Sequence, residues 1–128
     1  MTSQPIDTFL TFLRDCEQRF RMAEADELEA NAVTNDIHHA LELEEHDPGE
    51  LLALAEELAD TRRRRRTAKD TIAETSPVLA WLEDNRAVVK DLERLLGAVR
   101  KAERIAENRI YTPRTRRPAA REEVAHGE

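Results

Sequence analysis

Apolar side chains recur along the first third of the chain at alternating intervals of four and three residues. This seam consists of Phe9, Leu13, Cys16, Phe20, Ala23, Glu27, Ala30, Thr34, Ile37 and Leu41. Only Glu27 and Thr34 interrupt its apolar character. An average interval of 3.5 residues keeps one stripe of a helix turned toward a partner helix. We therefore expect a helix from about Pro5 to Glu45 that packs along its length against another helix.

A second helix is predicted to begin at Pro48 and to continue to about Glu74. Asp47 is suited to its N-cap, Pro48 to its first turn, and Glu50 to the third position of a capping box. Its seam is again spaced by four and three and consists of Leu51, Leu54, Leu58, Thr61, Arg65, Ala68, Ile72 and Thr75. Because only a tight turn separates the two helices, they should form an antiparallel hairpin.

The polar interruptions of the two seams suggest how the hairpin is aligned. If Leu41 lies opposite Leu54, then Thr34 faces Thr61 and Ala68 faces Glu27, one layer from Arg65. We expect a structural polar layer made of Glu27, Thr34, Thr61 and Arg65, with an ion pair between Glu27 and Arg65. Such a layer fixes the register at some cost in stability. The turn geometry leaves a slip of one layer open.

The pattern changes again at Thr75-Ser76-Pro77, where the chain is expected to restart as a short helix over Pro77–Glu83. Asp84-Asn85 then suits the cap of a further helix over about Arg86–Asn108. The seam of this helix consists of Val88, Leu92, Leu95, Val99, Ala102 and Ala106. Gly97 within it either weakens the helix or allows close approach by another helix. Residues 1–110 are thus predicted to form a helical domain, followed by an extended or disordered basic tail over 111–128.

Composition supports an all-α fold. The 128 residues include three glycines, 4% aromatic and 37% charged residues, which suits long helices and argues against sandwiches, barrels and nucleotide-binding α/β folds. An elongated hairpin buries little surface per residue, so we expect a homo-oligomer. The lone Cys16 allows no disulfide within one chain. With no signal peptide or membrane-spanning run in evidence, we expect a protein of the host cytoplasm, without membrane contact.

Charge is unevenly distributed along the chain, whose net charge is −7. The stretch from Glu24 to Asp60 contains acidic residues but neither lysine nor arginine. An unbroken arginine run, residues 62–66, follows it, and Lys69 comes soon after. A second basic group lies in the tail. The chain therefore offers both an acidic block and two basic clusters to a partner.

The arginines are the main candidates for binding. Candidates for a protein partner or for phosphate are Arg62, Arg63, Arg64, Arg66, Arg109, Tyr111, Arg114, Arg116 and Arg117. Five consecutive helical residues point around most of a helix, so the run cannot face one groove as a whole. Pairing with the acids of the first helix, such as Glu29, is the alternative to ligand binding.

Evidence for catalysis or a metal site is weak. His38 or His39, with Glu42 and His46, would share a helix face. Residues 56–60, Glu-Glu-x-x-Asp in type, resemble half of the acidic metal motif of the all-α nucleoside triphosphate pyrophosphatases, but the second half of that motif is missing. No nucleophile set or glycine-rich phosphate loop is present. We therefore predict no cofactor, no metal and no catalytic residue.

Four segments between Asn35 and Arg114 resemble small helical proteins encoded by phages and prophages of Gram-positive bacteria. They are residues 36–42, 62–70, 95–101 and 108–114. The resemblance implies a phage origin and no particular reaction. We expect a non-enzymatic interaction protein of a phage or mobile element that binds a host or phage protein. The alternative is binding of nucleic acid or a small nucleotide by the arginine clusters, and a third hypothesis is a metal-dependent nucleotide hydrolase.

Overall fold

A computed structural model describes residues 1–109, and these residues form three helices. They are α1 (Ser3–Leu43), α2 (Pro48–Asp84) and α3 (Arg86–Glu107). The described part of the chain contains no strand. The predicted all-α fold, a helical hairpin with an additional helix, is confirmed. The predicted basic tail lies outside the described residues.

The chain divides into two compact units. One, which we call the hairpin unit, is Thr11–Arg86; the other, the terminal unit, combines Met1–Leu10 with the described residues from Ala87 onward. The hairpin unit thus contains most of α1 and all of α2, whereas the terminal unit contains the first turns of α1 and nearly all of α3. No helix within residues 1–109 has the length and apolar character that crossing a membrane requires.

The turn between α1 and α2 follows the predicted chemistry. Asp47 is the N-cap of α2, and its carboxylate accepts the backbone N–H of Glu50 at 2.8 Å. Pro48 occupies the first turn, where its missing N–H has no helical partner to lose. The Glu50 side chain does not complete the capping box, because its carboxylate instead binds the Nδ1 atom of His46 at 3.1 Å. Only one of the two hydrogen bonds of a capping box is therefore formed at the start of α2, the one that Asp47 accepts.

The hairpin unit buries a narrow line of mostly small side chains, spaced by sevens on each helix. On α1 this line is Cys16, Ala23, Ala30 and Ile37, and on α2 it is Thr61, Ala68, Thr75 and Leu82. In the other row of the predicted α1 seam, Leu13 is buried at 4% exposed, whereas Phe20, Glu27 and Thr34 are partly exposed and Leu41 is 42% exposed. Two helices alone cannot enclose both rows of a seam along its whole length, so most of the second row stays in contact with solvent.

Three contacts across the hairpin bear on its register. Ala23 and Ala68 line the same groove. Ion pairs join Arg64 to Glu29 at 3.4 Å and Arg19 to Glu74 at 3.7 Å. Both ion pairs lie two residues from the expected alignment of Leu41 with Leu54, a difference that long side chains span.

No hydrogen bond or ion pair joins members of the expected polar layer in the described part of the chain. No ion pair between Glu27 and Arg65 is formed in the described part of the chain, and the Nε atom of Arg65 is buried without a hydrogen-bond partner. The Thr34 hydroxyl donates to the carbonyl oxygen of Ala30 on its own helix, at 2.8 Å. Thr61 is buried, with 4% of its surface exposed. Short hydroxyl side chains satisfy themselves locally, so they do not determine which residue lies opposite.

The predicted break at Pro77 is wrong, because α2 runs through it to Asp84. Pro77 lacks the N–H that would bond within the helix, and two hydroxyls supply local hydrogen bonds just before it. Thr75 donates to the carbonyl oxygen of Thr71 at 2.7 Å, and Ser76 donates to that of Ile72 at 2.5 Å. The helix ends at Asp84, at the Asp84-Asn85 boundary that the sequence also predicted, and the backbone N–H of Asn85 donates to the Leu82 carbonyl oxygen at 3.2 Å.

In the terminal unit, polar contacts join the start of α1 to the end of α3. The backbone N–H of Ser3 donates to the Glu103 carboxylate at 3.2 Å, and Arg100 pairs with Asp7 at 3.3 Å. Glu103 thus places a negative charge at the positive end of α1. Hydrogen bonds from the hydroxyl and the N–H of Ser3 lower the pKa of Glu103. Among the described residues of this unit, Leu10 and Leu96 are the buried hydrophobic ones.

Candidate binding surface on helix α2

The arginine run lies in the middle of α2, and the helix separates it into two sets. Arg63 pairs with Asp60 one turn earlier on the same helix. Arg64 pairs with Glu29 across the hairpin at 3.4 Å. Arg63 and Arg64 are thus paired with acids of the same chain, which was the alternative to ligand binding.

The remaining cations of this region form a second set, which we call the cationic stripe. It consists of Arg62, Arg65, Arg66 and Lys69. Intervals of three and four residues place these side chains on one face of a helix. They line a common surface groove of about 330 Å³, together with Arg63 and Asp70. Among residues 1–109, no member of the stripe forms an ion pair.

Arg65 is the innermost member of the stripe. The residue is only partly exposed, and its Nε atom is buried with no hydrogen-bond partner. A buried donor without an acceptor costs about 1–3 kcal/mol. An acceptor brought by a partner would relieve this cost, so the stripe contains an unused donor as well as net charge.

Two leucines extend the face of the stripe toward the hairpin turn. Successive helical residues are separated by about 100°, so Leu51 and Leu58 lie nearly in line with Arg62, Arg65 and Lys69. Leu51 is 44% exposed and Leu58 is partly exposed. One face of α2 is therefore apolar near the turn and basic farther along.

A second groove, between α1 and α2, has a different electrostatic character. It has a volume of about 470 Å³, and the charged residues that line it are Arg19, Asp26, Asp60, Arg63 and Arg64. Both signs are present, and several of these residues belong to the ion pairs already described. Met22, also in its lining, is 59% exposed. The charges of this groove nearly balance, unlike those of the stripe.

The other candidates from the sequence are separated from the stripe along the chain. Arg109 follows α3 and is exposed, with its N–H donating to the Ala106 carbonyl oxygen at 3.4 Å. Tyr111, Arg114, Arg116 and Arg117 lie outside the described residues. Their role in binding stays a prediction.

The acidic and histidine motifs do not assemble into a metal site in the described part of the chain. No group of three or more His, Cys, Asp or Glu side chains within it is placed to hold a metal ion. His38, His39 and Glu42 are exposed on α1. On α2, Glu56 and Glu57 are also exposed, and Asp60 is paired with Arg63.

His46 takes a structural position that the sequence pattern did not reveal. Its side chain is only 10% exposed. Its Nε2 atom lies 2.8 Å from the carbonyl oxygen of Ala40, and its Nδ1 atom lies 3.1 Å from the Glu50 carboxylate. We call these two contacts the His46 clamp, and both nitrogens donate to these acceptors only in the imidazolium form. The hydrogen bond to Ala40 and then that to Glu50 raise the pKa of His46, and the charge of Glu44 adds to the effect.

Comparisons with known proteins show no match. No protein-family model fits the chain, and neither a curated protein nor a solved structure shows significant similarity to it. Function must therefore be inferred from the surfaces of this chain.

Proposed function

We propose that this is a non-enzymatic helical interaction protein that binds a host or phage protein through α2. The proposal rests on the cationic stripe, whose four cations share one helix face and form no ion pair among residues 1–109. Arg63 and Arg64, which lie beside the stripe on the same helix, are paired, so the cations of this face differ from the adjacent ones. A complementary partner presents carboxylates there.

The shape of the surface favours a helix as the bound element. Leu51 and Lys69 are about 27 Å apart along α2, since a helix rises 1.5 Å per residue. A partner helix of about five turns, apolar at one end and acidic at the other, would match the leucines and the stripe. Recognition would then combine contact between helix faces with charge complementarity.

Two further parts of the proposal rest on the sequence alone. The segment from Tyr111 to Arg117 is proposed to add a second contact to the partner. The phage origin and the host cytoplasm as the site of action follow from the resemblance described above.

A direct test uses a synthetic helix of about five turns, with leucines at one end and glutamates at the other. We expect Arg62→Ala/Arg66→Ala to weaken its binding about tenfold in calorimetry, because two charge pairs are lost. The matched control, Lys90→Ala/Arg104→Ala, removes two exposed cations from α3 and should leave the affinity unchanged. Equal losses in both double variants would contradict the proposed surface.

A scrambled peptide of the same composition distinguishes a helix-binding face from general attraction of negative charge. If recognition depends on a helix face, the scrambled peptide binds more weakly than the amphipathic one at moderate salt. Equal binding of both peptides would reject the helix-binding part of the proposal. If the amphipathic peptide binds more strongly, a photo-crosslinking residue at position 66 can be used to identify the natural partner.

Binding of a phosphorylated ligand is the second candidate function. It is favoured by the unpartnered Nε of Arg65 in a groove with three further guanidinium groups, because guanidinium groups bind phosphate oxygens in pairs. It predicts that a fluorescent single-stranded oligonucleotide binds at low salt and dissociates steeply as salt rises. Oligonucleotide binding that Arg66→Ala weakens, without binding of the acidic helix, would favour this candidate over a protein partner.

A further inference from the structure

Helix α3 has an apolar face that is wider than the part covered in the chain. On the covered side, Leu96 is 6% exposed, and Val89, Leu92 and Val99 are partly exposed. Beside it runs a second set, which we call the open row: Val88, Leu95, Ala98, Ala102 and Ile105. Val88, Leu95 and Ile105 are 44%, 48% and 63% exposed.

The open row is continuous on the helix. At about 100° per residue, its members fall within about a third of the circumference. Asp91 lies inside the row, and Arg94 and Lys101 lie along the edge that is farther from the covered side. Asp91 pairs with Arg94 at 3.0 Å, whereas Lys101 forms no ion pair with any described residue.

We propose that the open row packs antiparallel against the open row of a second copy of the chain. In this register Val88 lies opposite Ile105 of the second copy, and Leu95 lies opposite its Ala98. Asp91 lies beside Lys101 of the second copy, and twofold symmetry repeats each of these contacts. The alanines permit a close approach of the two helices, and Asp91 receives a second cation from the other copy.

The charges of the row favour this arrangement over the parallel one. A parallel pair would place Asp91 beside Asp91 and Lys101 beside Lys101, so that like charges meet. One polar residue within an apolar row also fixes orientation and register in helix pairs. This dimer uses residues of α3 and none of the cationic stripe of α2, so it goes beyond the proposed function.

The first test is the concentration dependence of the mass in analytical ultracentrifugation. We expect a dimer that dissociates on dilution, and Leu95→Asp should weaken it at least tenfold, because the contact would bury an unpaired carboxylate. The control is Leu28→Asp, at a leucine of α1 that is 72% exposed and outside the row. Circular dichroism verifies that both variants stay helical.

A charge exchange tests the register. Asp91→Lys should weaken self-association about tenfold, because positions 91, 94 and 101 then all carry positive charge. Mixed with the Lys101→Asp chain, it should form a heterodimer, because the lysine introduced at position 91 then meets the aspartate introduced at position 101. The symmetry-related contact of this heterodimer keeps its original Asp91–Lys101 pair. Native mass spectrometry resolves the mixed species. Arg104→Asp makes the same change of charge on the opposite face and should not rescue Asp91→Lys.

Each result bears on the proposal. A wild-type chain that stays monomeric at all concentrations would overturn it, as would a dimer that is insensitive to Leu95→Asp. Rescue by Arg104→Asp, or no rescue by Lys101→Asp, would exclude the antiparallel register.

Discussion

Similar apolar patterns are buried in the hairpin unit but partly exposed on α3. In the hairpin, Ala23, Ala30 and Ile37 are no more than 4% exposed, because α2 lies along the whole line. In α3, Leu96 is buried while its neighbour Leu95 is 48% exposed. Periodic apolar positions thus indicate that a helix has an apolar face suited to burial. Whether that face is covered depends on the length and width of the element opposite.

Truncating one aliphatic side chain in each region is expected to give the largest difference in the free energy of unfolding. Ile37→Ala should lower the free energy of unfolding by about 2–4 kcal/mol, because it leaves a cavity in the hairpin contact. Leu95→Ala should lower it by less than about 1 kcal/mol when the chain is monomeric, since this side chain is already half exposed. Urea unfolding measures both values. Similar losses would show that the two regions are equally packed.

A smaller effect is expected at Arg65, where the hairpin contact meets the stripe. Arg65→Met should raise the free energy of unfolding by about 1–2 kcal/mol, because it removes a buried donor without an acceptor and retains the aliphatic stem. A double-mutant cycle with Glu27→Ala should show no coupling, since the two residues form no ion pair. Coupling above about 1 kcal/mol would instead support the ion pair expected from the sequence.

A still smaller gain is expected from the glycine of α3. A Cβ atom at position 97 would meet no atom within 4 Å. Gly97→Ala should therefore raise stability by about 0.5–1 kcal/mol through helix propensity alone. At Gly49, a Cβ atom would lie 3.3 Å from the Asp47 carboxylate that caps α2, so Gly49→Ala should gain less. Thermal unfolding compares the two, and a larger gain at position 49 would contradict this interpretation.

The smallest effect is a pH dependence at the hairpin turn. A pKa raised by folding means that His46 contributes stability below its unfolded value of about 6.5 and loses that contribution as the pH rises through the folded pKa. His46→Gln should remove this slope. The imidazole pKa can be measured by NMR titration, and a value at or below that of a free histidine would refute the His46 clamp.

Local features of the chain were predictable where the residues involved are close in sequence. The cap formed by Asp47 and Pro48 needs only neighbouring residues, and it formed as expected. Pro77 shows the limit of such reasoning. Nearby hydroxyls and the packing of Leu82 keep α2 helical through a residue that usually marks a helix start. A local signal is overruled when the surrounding helix is held by tertiary contacts.

By itself the sequence determined that the chain forms long helices, where the hairpin turns, and that cations concentrate on α2. These properties depend on propensity, capping and periodicity, which act within one or two turns. The tertiary structure alone decided the split of the arginine run into paired and unpaired sets and the contacts of His46. The Arg64–Glu29 pair depends on which side chains meet across the two helices. The His46 clamp depends on how the turn folds back on the end of α1, which no interval in the sequence specifies.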